Sequence, residues 1–141
     1  ETIDGINKMQ GFINQFPNSE YLKEANAIVK ELDFKLEKKA FSIAKQYNTI
    51  SDYQASIKAF DNFLLDYPGS PLKEEAHYYR FDSSYKLAIN SVEWKKEERI
   101  TKAISNFNTF KRYFAESKYL EDATKMEEEL ESLLEQYQTK S

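Results

Sequence analysis

Between residues 25 and 47 apolar side chains recur at steps of three and four: Ala25, Val29, Leu32, Leu36, Ala40, Ile43 and Tyr47. That spacing keeps one face of an α-helix apolar, and no glycine or proline interrupts it. It predicts one helix from about Ser19 to Asn48, roughly 30 residues and on the order of 45 Å long. After the polar break "NTIS", Tyr53, Ile57, Phe60, Leu64 and Tyr67 mark a shorter helix that stops at Pro68. A third runs from Pro71 through Leu72, Ala76, Tyr79, Tyr85 and Ala88 to about Ser91. Ile100, Ala103, Phe107, Phe110 and Phe114 define a fourth, and Ala123, Met126, Leu130, Leu133 and Tyr137 a last one. With an opening helix from Ile6 to Phe16, the pattern predicts an all-α chain of about six helices in antiparallel pairs.

The breaks between helices repeat as well. In "FLLDYPGSPLKEEA", residues 63–76, Pro68 cannot continue the preceding helix, Gly69 is suited to a left-handed turn, and Ser70 to a cap. Pro71 then fits a first helical position, and Glu74 and Glu75 a first turn where the helix dipole favours negative charge. "FINQFPNSEYLKEA" from 12 and "FKRYFAESKYLEDA" from 110 align with it without gaps. The alignment superposes Phe12, Phe63 and Phe110; Phe16, Tyr67 and Phe114; Ser19, Ser70 and Ser117; and Ala25, Ala76 and Ala123. Self-similarity of this kind marks a solenoid of stacked units.

These helix pairs resemble tetratricopeptide repeats. In residues 37–70, Ile43, Ala44, Tyr47, the turn at Ser51–Tyr53, Ser56, Phe60 and Pro68 follow that pattern. The chain departs from it where Ser51 replaces a turn glycine, Phe63 and Tyr78 replace small residues, and Ala115 replaces the closing proline. The resemblance implies a concave groove lined by Lys38, Phe41, Lys45 and Asn48 from one helix and by Leu72, Glu75, Tyr79 and Asp82 from the next. A groove of that mixed character suits an extended or helical protein segment.

Composition narrows the chemistry. The 141 residues favour one domain, residues 1–141, with punctuation near 17–19, 68–70 and 115–117. Lacking a starting Met and opening inside a helical pattern, it reads as a fragment of a longer chain. Three glycines and three prolines suit helices better than strand-and-turn architectures. With 20 basic and 24 acidic residues dispersed along the chain, "KLEKK" and "WKKEER" are too small to be a nucleic-acid footprint. The absence of cysteine excludes disulfides and thiolate chemistry. "ETIDGINKMQ" has neither the basic nor the apolar region of a signal peptide, and no apolar run in the sequence is long enough to span a bilayer.

Candidate catalytic and metal residues do not assemble. Glu74 and His77 stand at i and i+3, a spacing found in helical di-iron sites, but those need a second such pair and His77 is the single histidine. It is better placed as a packing residue. Glu127, Glu128, Glu129, Glu131 and Glu135 fall opposite the Met126, Leu130, Leu133 stripe and read as a solvated face. No cofactor, metal or enzymatic role follows. One further candidate lies in "NSVEWKKEER", read as an insert between the third and fourth helices. There Trp94, beside Lys95 and Lys96, is either an interface anchor or a cover folded over its own helix ends.

The arrangement of "FPNSEYLKEA", the long helix through "AFSIAKQYNTISDYQASIKAF" and the stop at "DYPGS" resembles the carboxy-terminal half of the BamD family, repeat-containing lipoproteins of the machinery that folds β-barrels into the Gram-negative outer membrane. The resemblance implies a non-enzymatic scaffold on the periplasmic face of that membrane. It implies protein partners, namely the periplasmic domain of the barrel-forming subunit and other assembly lipoproteins, and membrane association only through a lipid anchor outside this chain. The alternative is a periplasmic repeat adaptor of another envelope complex.

Overall fold

The computed structural model describes residues 2–16 and 20–139. They form α1 (Thr2–Gln15), α2 (Leu22–Thr49), α3 (Tyr53–Asp66), α4 (Lys73–Ile89), α5 (Glu93–Tyr113) and α6 (Leu120–Thr139), with no strand among them. The long helix is α2, of 28 residues. The expected cap at Ser19 and the punctuation at 17–19 lie outside the described residues.

The chain divides into two compact units, the first ending at Ala40 and the second starting at Phe41. In the first, Ala25 and Val29 are buried on α2, while α1 buries no residue completely. Gly5 permits a close approach there, since a Cβ on it would stand 3.1 Å from Leu32 Cδ1. In the second unit α4 is central and packs against α3, α5 and α6. Its core joins Phe81 and Ala88 to Ile100, Ala103, Phe107 and Phe110 of α5 and to Ala123 and Leu130 of α6. Phe60 and Phe63 of α3 are equally buried. Each such phenylalanine contributes about 1.5–3 kcal/mol through removal from water. Phe63 thus fills space that a small residue would leave, and Tyr78, likewise oversized for its position, stacks on Tyr119 with ring centroids 4.5 Å apart.

The second and third aligned segments adopt the same turn hydrogen bonds. Ser70 donates its N–H to Tyr67 O (3.1 Å), accepts Leu72 N–H on its hydroxyl (3.0 Å) and accepts Lys73 N–H on its carbonyl (3.1 Å). Ser117 repeats this with Phe114, Tyr119 and Leu120 at 3.0, 3.1 and 3.1 Å. The bonds Phe16 N to Phe12 O, Tyr67 N to Phe63 O and Phe114 N to Phe110 O, each 2.9 Å, carry the register through all three segments.

Several local expectations are corrected. Ser70 does not cap α4 itself: its hydroxyl serves the turn ahead of the helix, and the N-cap is Leu72, with no side-chain bond. Pro71 lies in that turn. Gly69 is not left-handed; the described residue with positive φ is Ser51, at 66°. The hydroxyl-closed turn bends the chain without needing a left-handed glycine. The segment around Trp94 is not a loop, because α5 begins at Glu93. "EWKKEER" is built of good helix formers, with an acid in the first turn to meet the dipole. It shows no stripe because it buries no residue completely before Ile100. Ile43 and Tyr47, expected on a buried stripe, are exposed; Phe41 and Ala44 are buried in their place.

Candidate partner-binding site

The predicted groove residues divide by unit. Lys38 belongs to the first, where its Nζ lies 5.1 Å from the Phe34 ring centroid. The rest are brought together in the second unit, between the end of α2 and the length of α4. Phe41 forms the floor. Its ring meets Phe60 and Phe63 edge-on at 5.8 Å each and Tyr79 at 6.5 Å, arrangements that suit aromatic quadrupoles. Lys45 Nζ stands 4.8 Å over the Tyr79 ring, a cation–π contact on the exposed side. A cleft of about 470 Å³ opens beside it, lined by Phe41, Ser42, Lys45, Gln46 and Thr49.

Two of the predicted groove residues are committed to the scaffold. Asn48 Nδ2 donates to Asp82 Oδ2 (3.0 Å) and to Ser83 Oγ (2.7 Å), and Asp82 Oδ2 also pairs with Lys86 Nζ at 2.9 Å. The side chains left to meet a ligand are Lys45, exposed, with Glu75, Tyr79 and Leu72 half-buried. Together they offer an aromatic face with one cation and one carboxylate beside an apolar floor. Those side chains can offer a ring face, a cation–π contact and one charge of each sign to a neighbouring group.

At the α4–α5 corner, Trp94 is 79% exposed, so its ring covers neither helix end. Lys95 Nζ lies 4.8 Å from it, and Lys96 is half-buried. The corner is held firmly: Glu93 Oε1 accepts from Tyr137 Oη of α6 at 2.7 Å, and Arg99 Nη1 donates to Ser91 Oγ at 2.8 Å. A third surface escaped the sequence reading. Ile43, Tyr47 and Ile50 are 46%, 37% and 62% exposed and, with Gln46, line a cleft of about 240 Å³.

Several titratable groups are held by packing and hydrogen bonds. His77 is buried between Tyr113 and Phe114, with ring centroids at 5.6 and 5.7 Å. Burial and then the charges of Arg80 and Lys73 push it down to about 4. Arg80 Nη1 pairs with Asp61 of α3 at 3.0 Å, and its Nη2 stands 3.4 Å from His77 Nδ1. Glu129 is not merely solvated, since both its oxygens lie 2.9 Å from Tyr85 Oη. Burial and this carboxylate raise the Tyr85 phenol to about 12. Burial and the neighbouring Glu131 raise Glu127. Among the described residues no group of three or more His, Asp or Glu is placed to hold a metal ion, and no helix is long and apolar enough to cross a membrane.

The sequence model of one family, YfiO, described as outer membrane lipoprotein, matches residues 37–140. That span contains the whole second unit up to the end of α6. No curated protein matches the chain.

Proposed function

We propose a function from one premise: the chain belongs to the YfiO family of outer membrane lipoproteins. On that premise the protein is a non-enzymatic scaffold subunit of outer-membrane β-barrel assembly, working at the periplasmic face and docking onto the periplasmic domain of the barrel-forming subunit. The observation that carries the reading is the coincidence of the family match, residues 37–140, with the unit that holds the aromatic groove and the Trp94 corner. Lys45, Glu75 and Tyr79 supply the groove contacts, and Trp94, Lys95 and Lys96 a second contact point. Scaffolding also agrees with where polar chemistry goes in this unit: the carboxylate of Asp82 and the hydroxyls of Ser56, Ser83 and Ser84 are bonded between helices.

The test is capture of the chain by the immobilised periplasmic domain of the barrel-forming subunit. Truncating a buried interface anchor costs about 2 kcal/mol, roughly thirtyfold in affinity, and truncating a rim charge much less. Trp94→Ala is therefore expected to weaken capture far more than Lys95→Ala, with helical content unchanged. Absence of capture by the unaltered chain at tens of micromolar overturns the docking reading and favours an adaptor role in another envelope complex. Capture that Trp94→Ala leaves intact removes only the corner from the site.

A further inference from the structure

Three consecutive residues in the middle of α4, Asp82, Ser83 and Ser84, are polar and buried. Successive helical positions point about 100° apart, so the three side chains are directed differently around the helix. Asp82 takes a bond from Asn48 of α2. Ser83 accepts from the same amide at 2.7 Å and meets Ser56 Oγ of α3 at 2.9 Å. Ser56 Oγ donates its proton to Ala44 O, back on α2, at 3.0 Å. Ser83 must therefore be the donor to Ser56, which fixes the direction of the circuit from Asn48 through Ser83 and Ser56 to Ala44. Ser84 Oγ donates to Arg80 O at 2.8 Å and accepts from Asn106 Nδ2 of α5 at 2.6 Å.

We propose that this seam is a register lock that sets how α2, α3 and α5 stack on α4 and so fixes the spacing of the groove between Phe41, Lys45 and Tyr79. Sliding α4 by one residue shifts it by about 1.5 Å and turns it by about 100°. Such a slide disconnects Ser83 and Ser84 from Asn48, Ser56 and Asn106 at once. Apolar contacts tolerate small displacements because dispersion weakens gradually with distance, whereas a hydrogen bond fails outside a narrow range of distance and angle, so the seam fixes the register more finely than the rings around it. The lock adds little net stability, because each buried hydroxyl gives up water for the bond it gains. Its contribution is uniqueness of packing, and it holds whatever the docking partner is.

The experiment replaces the seam by apolar groups in one chain carrying Ser56→Ala, Ser83→Ala, Ser84→Ala and Asn106→Leu, read by far-UV circular dichroism, urea unfolding and backbone amide exchange. The expected result is unchanged helical content and an undiminished urea midpoint, with protection of the amides in α3 and in α5 from Ile100 onward lowered at least tenfold. Ser83→Ala alone, which cuts the circuit at its centre, is expected to lower protection in α3 and in the last turns of α2 together. Unaltered protection in both variants overturns the lock. So does loss of folding in the fourfold variant, since the seam would then carry stability in place of register.

Discussion

Between residues 41 and 50, α2 carries two sets of apolar side chains that the second unit treats oppositely. Phe41 and Ala44 are buried, and half-buried Asn48 joins them, while Ile43, Tyr47 and Ile50 are exposed. At about 100° per residue the two sets lie roughly 125° apart on the helix. Hydrophobicity does not separate them, for Ile50 is more apolar than Asn48. What separates them is complementarity. Phe41 meets three rings from α3 and α4, Ala44 offers its carbonyl to Ser56, and Asn48 has acceptors on Asp82 and Ser83. Periodicity marks a face that can be buried; the partner's shape and polar groups decide which face is.

The sharpest way to break this contrast is to truncate one residue from each set. Phe41→Ala should cost about 3–5 kcal/mol, the usual penalty for removing a buried ring from a packed cluster. Ile43→Ser should fall within about 0.5 kcal/mol of the unaltered chain, as exposed positions do. Urea unfolding of both variants checks this. A cost of 2 kcal/mol or more for Ile43→Ser would mean that the face is covered in solution.

A smaller effect uses a titratable group that lies wholly on the packed side. His77 is held at about 4 against its ordinary 6.5, by burial first and then by Arg80 and Lys73. The folded protein therefore resists a proton that the unfolded chain accepts near pH 6.5. Between those values the unfolded state binds more protons, so stability rises with pH and is lost as pH falls from about 6.5 to about 4. The charges that act on the ring, Arg80 and Lys73 of α4, both disfavour the imidazolium, and the rings of Tyr113 and Phe114 flank it. The loss attributable to the imidazole should be about 3 kcal/mol. Carboxylates contribute to acid unfolding in any variant, so the measurement is the difference between the unaltered chain and His77→Phe across that range. Parallel losses in the two would show that the ring is solvated.

The helices were legible because most of them bury one continuous stripe, and the repeat was legible because Phe63 and Phe110, or Ser70 and Ser117, do the same job twice. The start of α5 was not, because its first two turns bury nothing completely and leave no periodic trace. The groove was legible only in outline. Lys45 and Tyr79 do meet on its surface, but Asp82, expected to line it, is buried, and nothing in the local sequence marks it or its neighbours Ser83 and Ser84 as buried. Their burial depends on Asn48, Ser56 and Asn106, which lie 22 to 35 residues away and carry no local signal. Glu129 was hidden for the same reason, its partner Tyr85 being 44 residues distant.

The smallest expected effect lies where the two faces of α2 end. Asp52 N–H bonds to Tyr47 O at 2.9 Å and Ser51 N–H to Asn48 O at 3.0 Å, the paired closure of a helix whose next residue is left-handed. That residue is Ser51, at φ 66°, and a side chain in this conformation costs about 1–2 kcal/mol relative to glycine. Replacing it has two opposing consequences. Glycine has more conformational freedom to lose on folding, by about 0.5–1 kcal/mol, and the bond from Tyr53 Oη to Ser51 Oγ disappears. That bond is exposed and long at 3.2 Å, so its loss is minor. Ser51→Gly should therefore stabilise the protein by about 0.5 kcal/mol, and Ser51→Val should destabilise it by more than that, because a β-branched side chain crowds the left-handed backbone. Thermal unfolding of the pair gives the order directly. Should Ser51→Gly unfold below the unaltered chain, the turn would owe its stability to the serine hydroxyl, and the exposed end of α2 would be held by that side chain and not by its backbone.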